Sequence, residues 1–415
     1  MRSPRSHRRC PVCGEALAEV VYAQHFAIEE DGHRVSGYDV VVCEPCGAVY
    51  ADGIPAQDAL DEYYRASSKY EYLEDRGEPP EWLTRWHSEL AASLLPFLQS
   101  PDARIVDIGC GNGDVLGLLK ALGYEQVLGV DPADASADAA RRLHGVEVLK
   151  GGISALPKAA RGADCVILSA VLEHLRDVRP ALEAAAGILA PEGMLYIEVP
   201  DLEHFSDQVV PPFQQFSVEH INFFTATAVE NAGAPVGLRV IDTWRAVRRI
   251  GPSEEPSLCM VLRSSPPHQR STERDLTGES AVRRYVSLCA SCEKAVASRI
   301  EDLVKAETAV IIWGAGTHAL HLLESTSLRR ANVVAIVDAN PRLHGVLVAG
   351  RPVAAPESVA SRPEPLLICS PLHQDEIVRM ARERFAMSNE IVTLYGPPGP
   401  ADACVADMRR AGEQS

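Results

Sequence analysis

One short stretch, Ile105-Val106-Asp107-Ile108-Gly109-Cys110-Gly111-Asn112-Gly113-Asp114, restricts the fold more than any other part of this chain. An apolar run short enough to be a buried strand passes into three alternating glycines, and an amphipathic helical pattern starts near Val115. Glycines at this spacing let the backbone turn tightly and let a ligand approach with no Cβ in its path. The helix that follows points unpaired N–H groups and the positive end of its dipole at a carboxylate or other anionic group. Dinucleotide-binding folds use a similar turn, so the turn alone does not choose the ligand.

Its surroundings narrow the choice. From Ala103 onward, short β-rich runs alternate with Ala/Leu-rich amphipathic stretches; the strand candidates are Arg104–Ile108, Gln126–Val130, Val146–Leu149, Asp164–Leu168 and Met194–Glu198. Strands separated by helices imply an α/β fold, a parallel sheet with helices on both faces. The second candidate runs into Gly129-Val130-Asp131-Pro132, placing a carboxylate where it can bond ribose hydroxyls. The fourth runs into Leu168-Ser169-Ala170-Val171-Leu172-Glu173-His174, at the sheet edge where such folds bind ligands.

Taken in order, these elements resemble the class I S-adenosylmethionine (SAM) dependent methyltransferases. The matching motifs are the Asp-x-Gly-x-Gly-x-Gly turn at Asp107 to Gly113, the acidic strand end at Asp131 and the Leu-x-His segment at Leu172 to His174. The resemblance runs from about Ala103 to the segment Pro191-Glu192-Gly193-Met194-Leu195-Tyr196-Ile197-Glu198-Val199-Pro200. It implies that Asp107, Gly109, Gly111, Asn112 and Gly113 hold the methionine part of SAM. Asp131 and Pro132 would lie at the ribose, Gly152 and Ile153 near the adenine, and Ser169 at the same edge. An NAD-type Rossmann domain is the competing reading.

Two Cys-x-x-Cys pairs, Cys10/Cys13 and Cys43/Cys46, flank a β-like segment, each followed by glycine, at Gly14 and Gly47. Four thiolates suit one tetrahedral zinc ion, and a Cys-x-x-Cys turn brings two sulfurs onto it. Unligated or redox-active cysteines are the alternative. His25 and His33 in the intervening loop read as surface residues, and Cys289-Ala290-Ser291-Cys292 as packing.

The 415 residues exceed one compact core. Composition shifts divide them into a zinc-binding module (1–60), a helical connector (61–100), the SAM core (101–265), a helical linker (266–305) and a second Rossmann-like α/β domain (306–415). The connector holds Asp61-Glu62-Tyr63-Tyr64 and Tyr70-Glu71-Tyr72, then a helical stretch from Trp82 to Leu98; the linker opens with a polar stretch at Ser264–Glu279. In the last domain, with strand candidates Ala309–Trp313, Val333–Val337 and Pro365–Cys369, Gly314-Ala315-Gly316-Thr317-His318-Ala319 repeats a Gly-x-Gly-x-x-Ala turn and Asp338 ends the next strand. Bound NAD is one reading; the other, preferred here, is an accessory domain that closes over the acceptor, with its nucleotide. His318 and His321 read as ordinary helix residues.

A net charge of −17 argues against a protein built to hold a phosphate backbone, so nucleic acid is not an expected partner. No run is long and apolar enough for a membrane helix. The basic segment Met1 to Arg9 leads into Cys10 where a signal peptide needs apolar residues, and the expected location is the cytoplasm. A monomer or homodimer is expected.

Beyond the sheet motifs, Pro211-Pro212-Phe213-Gln214-Gln215-Phe216-Ser217-Val218-Glu219-His220-Ile221-Asn222-Phe223-Phe224-Thr225 sets an acid and a histidine among aromatics. Such a pair can exchange protons near neutral pH; it can equally bond the backbone of a structural turn. The Cys-rich front, SAM core, Glu-His element and C-terminal Rossmann-like unit together resemble the deoxysugar-nucleotide C-methyltransferases of antibiotic sugar pathways. That resemblance implies His220 as base, Glu219 as its partner, and His174 as the group polarising a keto oxygen. The acceptor would be a nucleotide-linked ketodeoxysugar. The chain departs from the family at Ser217, where tyrosine is usual, and its Gly-rich turn is more standard than the family's. The family's tyrosine-plus-serine segment is partly echoed at Tyr64-Arg65-Ala66-Ser67-Ser68. An O- or N-methyltransferase on the same three-part plan therefore stays open.

Overall fold

The computed structural model describes residues 8–27, 36–66, 81–133, 135–209, 211–250, 253–266 and 272–395. His33, Ser67, Ser68 and Tyr70-Glu71-Tyr72 lie outside them. The chain divides into two compact units: Met1–Val20, Val41–His204 and Glu219–Ala281 form the first, and Val21–Val40, Phe205–Val218 and Val282–Ser415 the second.

At the N-terminus, β1 (Ala18–His25) and β2 (Gly37–Cys43) run between the two cysteine turns, and β3 (Val49–Asp52) follows the second. Helices α1 (Gln57–Ala66) and α2 (Glu81–Leu94) come next. The helix expected to reach Leu98 gives way at Leu95–Phe97 to a 3-10 turn with Pro96 in it, because a proline ring cannot continue an α-helix.

The first unit is built on a seven-stranded sheet from β4 (Ile105–Ile108), β5 (Val127–Asp131), β6 (Glu147–Lys150), β7 (Ala163–Ser169), β8 (Leu189–Pro200) and, further along, β10 (Leu238–Ile250) and β11 (Ser253–Ser264). Its order is β10-β11-β8-β7-β4-β5-β6. Neighbours from β8 to β6 are parallel, and β11 alone runs against both β8 and β10. Helices α3 (Asp114–Ala121), α4 (Ser136–His144), α5 (Val178–Ala186) and α6 (Ala226–Gly233) supply the covering layers. Both faces are covered, which is why the central strands are mostly apolar rather than alternating. Val106, Ile108, Val166, Leu168 and Leu195 pack with Leu182 of α5 and Val229 of α6. Ile105, Cys165, Ile167 and Tyr196 point the other way, onto Leu90 and Leu94 of α2 and Leu116 and Leu119 of α3. Each such aliphatic side chain contributes about 1.5–3 kcal/mol.

A β-bulge between Val240 and Asp242 rephases β10. Leu238 and Val240 before it join the first layer, and Trp244 and Ala246 after it join the second. The two-residue β9 (Asn222–Phe223) leaves this sheet and pairs with β3, so the four-stranded sheet reads β1-β2-β3-β9.

In the second unit, the helix α7 (Leu276–Lys305), which begins in the first, leads to β12 (Val310–Trp313), α8 (Thr317–Ser325), β13 (Val333–Val337), β14 (Leu347–Val348), β15 (Arg351–Ala354), β16 (Leu366–Ile368), α9 (Gln374–Arg379) and β17 (Ile391–Thr393). They form a six-stranded sheet ordered β14-β15-β13-β12-β16-β17, parallel except for β14 against β15. The expected pair of α/β domains behind a four-cysteine element is what the chain folds into.

Candidate active site

The chain leaves β4 through Gly109, Gly111 and Gly113, all with left-handed backbone (φ +80°, +52° and +74°). Gly109 N–H donates to the Val130 carbonyl at 2.7 Å. A Cβ on Gly109 would stand 2.7 Å from Val171 Cγ2, so only glycine lets the loops after β4 and β7 approach this closely. Gly113 caps α3 with no side chain, leaving the helix's first N–H groups facing the sheet edge.

Asp131 closes β5, 8% exposed. Its Oδ2 accepts the Gly111 N–H at 2.9 Å; its Oδ1 accepts the Ala133 N–H at 2.9 Å and the Ser136 hydroxyl at 2.8 Å. The carboxylate thus fixes the glycine loop from below. Of its roughly four lone-pair sites, three accept bonds from the protein itself. Asp107 lies beside it, buried, and that burial pushes its carboxyl up to about 7, with Asp131 pushing the same way. A cationic ligand at this edge would restore its charge.

The other expected cofactor contacts share this rim. Asn112 is buried and Pro132 half-buried. Gly151 N–H donates to the Asp131 carbonyl at 3.1 Å; next to it Gly152 borders open space, and Ile153 starts a 3-10 turn. Ser169 precedes Ala170, which holds φ +54° and donates to the Glu198 carbonyl at 2.9 Å. A left-handed alanine costs roughly 1–2 kcal/mol, and strain of this kind gathers at functional edges.

Across the rim, a 3-10 turn at Leu172–His174 brings His174 out of the strand end. Its ring lies 5.0 Å from that of His220, edge to face. His174 Nδ1 is 3.0 Å from the Tyr64 hydroxyl and 3.1 Å from the Glu219 carbonyl oxygen. A carbonyl can only accept, so this network assigns the proton to Nδ1 and makes Nε2 the working nitrogen. Glu173 Oε1 is 3.8 Å from Nε2, and Glu173 is almost fully buried (1% exposed). Of the expected residues the structure brings His174 and His220 together; Glu219 reaches His174 through its main chain. Two residues not foreseen as site members join them. Tyr64 projects from α1, and Glu173 sits inside the Leu-x-His motif itself.

Both loops are fastened. Asn222 Nδ2 donates to the Leu172 carbonyl at 2.8 Å and the Leu175 carbonyl at 2.7 Å. Arg8 donates to Asn222 Oδ1 at 2.6 Å, to the Ile221 carbonyl at 3.2 Å and to the Arg176 carbonyl at 2.9 Å. Ile221 N–H donates to the Glu173 carbonyl at 2.8 Å. Burial lowers the Arg8 guanidinium to about 10, still charged at neutral pH.

At the N-terminus, Cys10 Sγ lies 3.5 Å from Cys46 Sγ, and Cys13 Sγ 3.4 Å from Cys43 Sγ, all four within 4.8 Å of one another. Zinc–sulfur bonds of about 2.3 Å set tetrahedral sulfurs about 3.8 Å apart. Hydrogen bonding from Cys10 pulls the Cys13 thiol far down, while bonding with Cys10 drives Cys46 far up. Four thiols this close cannot all ionise without a cation among them, and the donor set fits zinc.

In the second unit, Gly314 (φ +110°) begins the turn after β12. Asp338 Oδ2 accepts the Ala315 N–H and Oδ1 the Asn340 N–H, each at 2.8 Å, as Asp131 does in the first unit. His318 and His321 lie in α8, as expected, and both are buried: His318 Nε2 is 2.8 Å from the Tyr395 hydroxyl, and burial lowers this imidazole to about 3. His321 Nε2 is 2.6 Å from Glu293 Oε1. Cys289 and Cys292 are both buried, as packing requires.

Among the described residues no helix is long and apolar enough to cross a membrane. Residues 81–243 match the methyltransferase domain family, and residues 268–394 match the C-methyltransferase C-terminal domain. The C-methyltransferase NovU of Streptomyces niveus is 25% identical over 259 residues, 57% of each chain. An uncharacterized 37.1 kDa protein in transposon TN4556 of Streptomyces fradiae is 37% identical over 107 residues, 24% of this chain and 31% of that one. The tRNA U34 carboxymethyltransferase of Vibrio cholerae is 29% identical over 176 residues, 39% of this chain and 53% of that one. The chain thus spans from about a third to somewhat over half of these relatives' lengths. Two family models thus match successive parts of the chain: a methyltransferase domain, which contains the glycine cradle and Asp131, and behind it a C-methyltransferase C-terminal domain.

Proposed function

We propose that this protein moves the SAM methyl group onto a carbon next to a ketone in a small molecule, a nucleotide-linked deoxysugar of natural-product biosynthesis. The observation that carries this reading is the pair of imidazoles, His174 and His220, 5.0 Å apart at the edge of the SAM domain. Carbon is a poor nucleophile until a proton leaves it, so such a transfer needs a base and a group that stabilises the enolate. Oxygen or nitrogen acceptors need less help. The similarity to the C-methyltransferase NovU and the match to the C-methyltransferase C-terminal domain support carbon.

In this scheme His220 takes the α-proton. His174, charged through Nε2 and stabilised by Glu173, donates to the keto oxygen while Glu219's carbonyl and Tyr64 hold its ring. The enolate carbon attacks the methyl, the C–S bond breaks, and S-adenosylhomocysteine leaves neutral. Zinc at Cys10, Cys13, Cys43 and Cys46 is structural; when bound it supplies folding energy and no chemistry.

Solvent exchange tests the scheme. With a ketodeoxysugar nucleotide in D2O and no SAM, the wild type should exchange the α-proton and His220→Ala should not. With 13C-methyl SAM, the product should show one-bond 13C–13C coupling in an acceptor labelled at that carbon. A methyl bonded to oxygen or nitrogen, or undiminished exchange in His220→Ala, would overturn the reading.

A further inference from the structure

The histidine pair has a property that proton transfer does not use. Glu173, His174 and His220 each offer a donor atom, and those atoms lie within 4.8 Å of one another. They are a carboxylate and two imidazoles, the donor set of many zinc, cobalt and iron sites.

Three observations make this more than a coincidence of neighbours. The Glu219 carbonyl fixes the proton on His174 Nδ1, which turns the Nε2 lone pair toward Glu173 Oε1 at 3.8 Å. Glu173 is 1% exposed, where an anion is stabilised by a direct partner more than by solvent. The two segments that bear the donors are cross-linked by Asn222, by Arg8 and by the Ile221–Glu173 main-chain bond, so the donors are gathered before any ion arrives. Metal–donor bonds of about 2.0–2.2 Å place neighbouring donors about 3.0–3.5 Å apart. Contraction from the present spacing takes small side-chain rotations.

We infer that Glu173, His174 and His220 form a second metal site, separate from the four cysteines, that takes one divalent transition-metal ion of the zinc or cobalt class. Imidazole donors suit these ions and not magnesium. On binding, any proton on His174 Nε2 or His220 passes to the buffer and the lone pairs go to the ion. An occupied site therefore has no free base, and the metal acts as an off-switch for proton abstraction.

The test titrates the full-length protein, as purified, with cobalt chloride. The expected result is a weak visible d–d absorption that saturates at one equivalent and brings no thiolate-to-cobalt charge-transfer band. Exchangeable imidazole N–H resonances should shift strongly in the same titration, a readout that needs no variant. Glu173→Gln and His220→Ala, on separate segments and checked for SAM binding, should each weaken cobalt at least tenfold. Zinc chloride should inhibit methyl transfer and magnesium chloride should not. The inference is overturned if the wild type shows only thiolate bands, or if both SAM-binding variants titrate like the wild type. The inhibition arm rests on the proposed role of His220; cobalt binding without inhibition would uphold the metal site and overturn that role.

Discussion

Asn222→Ala is the substitution whose effect can be worked most directly from the structure. The Asn222 side chain makes three hydrogen bonds, two to carbonyls of the turn that bears His174 and one from Arg8, and the residue is 2% exposed. A neutral bond contributes about 1 kcal/mol net and one to a charged group about 1.5–3 kcal/mol. Removing all three costs about 4 kcal/mol. The loss should appear as a lower urea midpoint for the transition of the first unit, with an unchanged denaturant slope. Turnover should fall with it, because the Leu172–Leu175 turn loses both of its bonds from Asn222 and keeps only the Ile221–Glu173 main-chain bond, while SAM affinity stays within a factor of two. Asn222→Asp separates the bonds: it keeps the oxygen that Arg8 needs but turns a second acceptor toward the two carbonyls. It should therefore lose turnover as the alanine variant does, while retaining more of the Arg8 contribution to stability. A stability loss below about 1 kcal/mol with normal turnover would refute the idea that this amide positions the site.

Further outcomes follow from the same geometry. His220→Ala should leave SAM affinity intact and cut turnover by about 10²–10⁴-fold, measured by radiolabelled methyl transfer; equal loss of both would make His220 structural. Cys43→Ser should release zinc, measured by elemental analysis, and lower the melting temperature of the first unit, since Cys46 also holds the Asp275 N–H that opens α7 (2.9 Å). Asp107 gives a pH signature. Its folded carboxyl is raised from 3.8 to about 7, so its contribution to stability is complete below the lower value and is lost as pH rises through the higher one. Asp107→Asn should therefore be more stable than the wild type at pH 8, with a flatter stability profile between pH 4 and 7, followed by denaturant midpoints.

The parts of this fold that sequence reveals are those where local pattern and tertiary role coincide. The parallel strands from Ile105 to Glu198 fall within a few residues of their expected positions, because strands buried on both faces read as apolar runs. The β10–β11 hairpin was not legible. Its bulge at Ile241 switches the buried face midway, and Arg239, Arg245 and Arg249 on an edge strand mask what alternation remains. At the site, the glycines and Asp131 announce themselves because the tight turn and its carboxylate anchor dictate their spacing. Tyr64 could not be tied to His174 across a separation of 110 positions. Glu173 was hidden by its own motif: in Leu172-Glu173-His174 the histidine draws attention, yet the 3-10 turn puts both side chains on the same cluster. A signal for Glu173 existed, an acidic residue at a ligand-binding strand end between two apolar stretches.

The account rests on the glycine cradle closed by Asp131, and isothermal titration with S-adenosylhomocysteine tests it most directly. The wild type should bind one equivalent, and Asp131→Ala, which removes the loop's anchor and the proposed ribose acceptor, should bind at least tenfold more weakly with the fold retained. Equal heats and affinities for the two proteins, or no heat with the wild type, would contradict it.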